Sequence, residues 1–167
     1  HMKRKHIFSA MLLIVFSSCK NQDWEFPDYE YQTVYFAYQY PVRTITMGED
    51  IFDTSLDNQA KINVMATTGG VYTSKNDVSV DFVVDNAMTQ NIIYSPGGGD
   101  VLPLPSNYYT LASNKMIIPK GKPSGGVEVQ FTDAFFADPK SINTTYVLPI
   151  RITNVTNADS ILSGVPK

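Results

Sequence analysis

Chemistry that depends on imidazole or thiol is closed to most of this chain. Its histidines are His1 and His6 and its one cysteine is Cys19. The body beyond Cys19 therefore has no side chain to act as the usual base beside a serine or cysteine nucleophile. The same lack argues against zinc, which takes thiolate or imidazole ligands. Carboxylates remain. Asp77, Asp81 and Asp85 recur every fourth residue, but on a strand that spacing separates neighbours by about 13 Å, too far to share a proton or a calcium ion. The pattern reads as a solvated strand face. A glycosidase pair needs two carboxyl groups about 5 to 9.5 Å apart, and folding could assemble one from Glu49, Asp53, Asp100 or Asp133, though no spacing favours any two. Gly97-Gly98-Gly99 lacks the Lys-Ser/Thr of a phosphate loop and leads into Val101-Leu102-Pro103-Leu104-Pro105, not a helix. Lys120-Gly121-Lys122 has Met116 where such a loop requires glycine, and reads as a basic hairpin turn. No catalytic residue, metal ligand or cofactor site is expected.

What the chain offers instead is aromatic: ten Tyr, nine Phe and one Trp, all but Phe8 and Phe16 in the body. Flat apolar rings held in water can stack on pyranose faces while nearby polar groups hold sugar hydroxyls. Tyr35 falls on the outward face of a predicted strand, and Tyr72, Tyr94, Tyr108 and Tyr109 flank loops. These five are the candidate ligand-binding residues for an oligosaccharide or polysaccharide. The alternative for each is a place at a sheet edge or as a lid over the core. Three of the 13 basic residues precede Cys19, leaving ten against 16 acidic residues, a surface that repels nucleic acid phosphates.

The elements that must position these residues are strands. From Thr33, Val34, Phe36, Tyr38 and Tyr40 alternate with Thr33, Tyr35, Ala37 and Gln39, the period of a half-buried strand. Residues 59–67 place Ala60, Ile62, Val64 and Ala66 inward, and Gly69-Gly70 ends the run. Residues 77–85 set Val78, Val80, Phe82 and Val84 against a face bearing Asp77, Asp81 and Asp85. Further strands are predicted over 116–118, 127–131 and 145–153, with weaker ones over 42–47 and 108–111. Pro149 has no amide donor and so requires a sheet edge or a bulge. Residues 86–94 are predicted as one short helix. Seven or eight short strands punctuated by Gly and Pro predict an all-β, Ig-like antiparallel sandwich with Greek-key connections over 33–167. With 43% hydrophobic and 17% charged residues, the chain has apolar surface enough for one core.

His1 stands before Met2, the natural start, and is set aside. Lys3-Arg4-Lys5, the apolar residues 7–16 and the small pair Ser17-Ser18 then make the three parts of a signal peptide over 1–18. Ten apolar residues in a helix rise about 15 Å, half a hydrocarbon core, so the run does not span a membrane. Phe16-Ser17-Ser18-Cys19 resembles a bacterial lipoprotein box, with Phe16 where leucine is commoner. That resemblance implies lipid on the Cys19 sulfur and a polar tether over 19–32, placing the protein at the outer membrane and cell surface; the alternative is an ordinary cleaved leader with an incidental cysteine. Trp24 in that tether would sit among lipid headgroups or pack on the domain. The apolar residues after a predicted final strand lead to the expectation that this is an N-terminal module of a longer protein.

Ile118-Pro119-Lys120-Gly121, Ser124-Gly125-Gly126-Val127-Glu128-Val129, Phe135-Phe136-Ala137-Asp138-Pro139, Tyr146-Val147-Leu148-Pro149-Ile150-Arg151-Ile152 and Ile161-Leu162-Ser163-Gly164 carry a wider likeness. In this order they resemble the N-terminal β-sandwich domain of unknown function in surface lipoproteins of gut Bacteroidetes. The resemblance implies a gene among glycan-utilisation genes and a non-enzymatic module that supports glycan capture, by binding sugar weakly or by spacing a downstream binding domain. Two other roles stay open: an adhesion or protein-interaction domain docking to an outer-membrane transporter or partner lipoprotein, and the non-catalytic N-terminal part of a glycoside hydrolase.

Overall fold

The computed structural model describes residues 31–37, 45–48, 53–70, 74–90, 101–143 and 146–162. Cys19, Trp24, Glu49, Tyr72, Tyr94, Asp100 and the triple glycine at 97–99 lie outside them. Ten strands occur among the described residues: β1 Thr33–Phe36, β2 Lys61–Gly69, β3 Val78–Val84, β4 Leu102–Pro103, β5 Tyr109–Leu111, β6 Lys115–Ile118, β7 Ser124–Phe131, β8 Tyr146–Val147, β9 Ile150–Thr156 and β10 Ser160–Ile161. Two short helices, α1 Asp133–Ala137 and α2 Lys140–Asn143, fill the connection from β7 to β8. A five-stranded sheet runs in the order β10-β1-β2-β7-β5, a three-stranded sheet in the order β6-β3-β9, and β4 pairs with β8.

The two larger sheets face each other, and strand alternation decides which side chains meet. Val34, Ala66 and Val127 from the first sheet join Val78, Val80, Phe82, Met116 and Ile118 from the second in one core. Val34, Val78, Val80, Met116, Ile118 and Val129 have no exposed surface. The fold is the expected all-β sandwich. Its sheets close on each other at Gly125, on the inward side of β7, where a Cβ would lie 1.9 Å from the backbone oxygen of Ile117 in β6. Only a residue without a side chain lets the two backbones cross so closely.

Several details differ from expectation. Seven or eight strands become ten, and pairing is not wholly antiparallel, because β1–β10 and β4–β8 are parallel. The strand expected over 145–153 is split at Leu148-Pro149 into β8 and β9, which belong to different sheets. β9 lies at a sheet edge, the position proline allows, and the Pro149 carbonyl accepts the Asp85 amide at 2.9 Å. Ala60 does not face the core from a strand; it sits at φ 56°, ψ 41°, capping a 3-10 turn over Asp57–Gln59. Of the helix expected over 86–94, residues 91–94 lie outside the described ones and the rest holds a 3-10 turn, Asn86–Thr89, begun by the Asp85 side chain accepting the Ala87 amide. Of the strand expected over 42–47, residues 42–44 lie outside the described ones, and 45–47 form no strand but lead into a turn at 47–48. The Lys120-Gly121-Lys122 turn is present, with Lys122 N donating to Pro119 O and Gly121 at φ 73°. It joins two sheets, however, and is no hairpin.

The aspartates on and flanking β3 serve separate neighbours. Asp77 accepts the Lys120 amide, Asp81 pairs with Lys115 at 2.8 Å and accepts from Asn154, and Asp85 pairs with Arg151 at 3.0 Å.

Candidate functional site

Among the described residues, the densest polar and aromatic grouping lies where β7 ends. Phe131, last in β7, packs its ring 4.5 Å from Phe135 and 6.4 Å from Phe136. Tyr108 meets Phe135 edge-on at 6.2 Å and Tyr146 edge-on at 5.8 Å, geometry that sets the positive rim of one ring on the negative face of another. Asp138 ties the group together. Its Oδ2 accepts the Tyr146 hydroxyl at 2.6 Å and the Tyr108 hydroxyl at 2.9 Å, while Oδ1 accepts the Lys140 amide at 2.9 Å. Local sequence explains the position: Asp138-Pro139 immediately precedes α2, with the carboxylate accepting the amide of Lys140, the first residue of the helix.

The electrostatics follow from these bonds. The Tyr146 hydroxyl, the Lys140 amide and the Tyr108 hydroxyl hold the Asp138 carboxyl below the ordinary carboxylate range. In return the carboxylate raises Tyr108 and pushes Tyr146 up to about 12. A carboxylate whose two oxygens both accept hydrogen bonds is a poor proton acceptor for a substrate, and phenols this reluctant to ionise are poor bases. The cluster ties the residue before β5 and the first residue of β8 to the β7–β8 connection through Asp138. Among the described residues no group of three or more His, Cys, Asp or Glu is placed to hold a metal ion.

Among the described residues, the candidate tyrosines Tyr35, Tyr108 and Tyr109 do not form one platform. Tyr35 lies on β1 opposite Thr67, half-buried, and its ring edge covers Gly69, where a Cβ would stand 3.1 Å from Tyr35 Cε1. Tyr109, on β5, pairs with Phe131 and shares the inward side with Leu111, and burial raises its hydroxyl. Tyr35 and Tyr109 thus project to opposite faces of one sheet. Tyr108 is held in the Asp138 cluster. Sequence reasoning missed Asp138 and Tyr146 as the organising pair, although Asp-Pro after an aromatic run is a turn and helix-start signal.

A family model for an N-terminal domain matches residues 29–159. The chain belongs to this family. A solved structure, a protein of unknown function from Bacteroides ovatus, is 50% identical with a TM-score of 0.75; the match covers 84% of this chain and 44% of that one. The expected kinship with a Bacteroidetes N-terminal domain of unknown function therefore holds, and the chain spans less than half the length of that relative. Two Bacteroides structures align more loosely. A two-domain protein of unknown function from Bacteroides fragilis has 16% identity and a TM-score of 0.44, covering 81% of this chain and 42% of that one. A Bacteroides ovatus protein whose description proposes carbohydrate binding has 19% identity and a TM-score of 0.41, covering 62% and 28%. No curated relative matches the chain. The family description is one of position in a longer chain and indicates no enzymatic activity.

Proposed function

We propose that this N-terminal domain is the lipid-anchored, membrane-side module of a cell-surface protein that captures glycans, and that its own part is to carry and present a downstream domain. The observation that carries this reading is the path of the chain. β1 begins at Thr33, at the end of the sandwich where β2 finishes and β7 starts, with Thr33 opposite Gly69 and Thr67 opposite Ser124. The last strand, β10, runs parallel to β1 and so leads away from that end. With Cys19 acylated upstream, the sandwich stands between the lipid and the onward polypeptide. The glycan role rests on the resemblance to surface lipoproteins from glycan-utilisation loci, and the scattered tyrosines support a presenting role over direct sugar binding.

The test is made with the full-length protein in its native host. Cys19→Ala is expected to release it from the membrane fraction, while Tyr35→Ala and Tyr109→Ala leave its glycan binding unchanged. A membrane-bound Cys19→Ala protein, or glycan binding lost with either tyrosine, would overturn the proposal. A second reading, docking to an outer-membrane transporter or partner lipoprotein, is favoured by the exposed side chains of Phe136 and Ile142.

A further inference from the structure

Phe136 and Ile142 stand 51% and 85% exposed on the consecutive helices α1 and α2. Ala134 and Ala137 on α1 are exposed as well. One edge of the Phe136 ring packs on Phe131 and Phe135, but the β7–β8 connection still turns apolar side chains outward, Ile142 most of all. Its position matters. α1 springs from the end of β7, and β7 ends beside the start of β2, with Gln130 opposite Lys61. β10 is parallel to β1 and β1 antiparallel to β2, so a chain continuing along β10 heads for that same end. Only β1 and β2 separate β10 from β7, a distance of about 14 Å across the sheet. The family is one of N-terminal domains, and the 50% identical relative has more than half its length outside the matched region.

We infer that Phe136 and Ile142 are the centre of a docking surface for the next domain of the same polypeptide, which lays an apolar patch of its own against α1 and α2. A covalent link holds the second domain at high effective concentration, so a small apolar surface suffices where two free proteins would need a larger one. The inference rests on the presenting role only in requiring a downstream domain, and needs no glycan.

The experiment uses the full-length protein, comparing wild type with F136S/I142S and with I117S, which alters an exposed apolar residue on β6. Proteolysis of the segment between the domains, small-angle scattering and light scattering are read together. The double variant is expected to be cut at least tenfold faster and to have a larger radius of gyration, with I117S like wild type and the thermal midpoint unchanged. Equal cutting rates and radii in all three proteins would overturn the inference. So would a wild-type dimer that the double variant dissolves, which would assign the surface to a second copy, or a surface that engages an outer-membrane partner while the two domains tumble separately. Should F136S/I142S lower the thermal midpoint, Ile142→Lys alone carries the same comparison, since that side chain is almost wholly solvent-facing.

Discussion

The middle of the sandwich and its aromatic end are built by different physics. In the middle, Val80, Met116, Ile118 and Val129 are fully buried because each sits on the inward phase of a strand, and many side chains share the load. At the end, one carboxylate gathers Tyr108 and Tyr146 across 30 and eight residues of sequence, and the rings meet edge-on around that hub. The first arrangement is distributed and apolar. The second hinges on a single group and on its charge, so the two regions should answer differently to substitution and to pH.

The sharpest blow falls on the middle. Gly125→Val places a Cβ 1.9 Å from the Ile117 carbonyl oxygen, and the two sheets are expected not to close. Circular dichroism should then show no cooperative thermal transition. Next comes Ile118→Ala, which leaves a cavity beside its cross-strand partner Val78 in the core and is expected to cost about 2 to 5 kcal/mol in urea denaturation.

How well each region could be read from the sequence follows the same division. Period-two alternation marked Val78, Val80, Phe82, Val127 and Val129, because strand geometry alone assigns them a side. It misplaced Ala60, whose alternation with Ile62 was right in phase while its backbone bends into a left-handed cap. Alternation also ran straight through Leu148-Pro149, since the break there depends on which sheets receive β8 and β9. The parallel pairs β1–β10 and β4–β8 were hidden for the same reason: pairing partners are set by topology. At the aromatic end, Tyr108 was singled out for its ring, and its hydroxyl's partner was invisible because nothing local announces a hydrogen bond to a residue 30 positions away.

A milder effect is expected at that end. Asp138→Leu removes the acceptor for both phenols and should destabilise less than Ile118→Ala, whereas Asp138→Asn, which keeps an acceptor oxygen, should lose less again. Ultraviolet titration should show the tyrosine that ionises near pH 12 in the wild type returning toward pH 10 in Asp138→Leu. The sign of the pH dependence differs at the two extremes. Asp138 and Asp81 are lowered by their hydrogen bonds, so their contribution is present above the ordinary carboxylate pKa, about 4, and fades as pH falls below it. Tyr146 is raised, so its contribution is whole below about pH 10 and declines as pH climbs toward 12. Urea midpoints across pH should fall at both ends, and in Asp138→Leu the alkaline decline should flatten.

The smallest change concerns a surface ion pair on the outer side of the five-stranded sheet. Lys61 and Glu128 meet at 3.3 Å and remain partly exposed, so Lys61→Ala is expected to cost under about 1 kcal/mol, less as salt is added. A larger loss would mean that the outer face, and not only the core, sets the stability of the middle.

Most direct is calorimetry of residues 23–167 beside the full-length protein, against a panel of host and plant polysaccharides. A domain that presents its neighbour should give no heat of binding alone while the full-length protein binds a glycan. Saturable heat from the isolated domain, abolished by Tyr35→Ala or Tyr109→Ala, would contradict this account and make the sandwich itself the sugar-binding element.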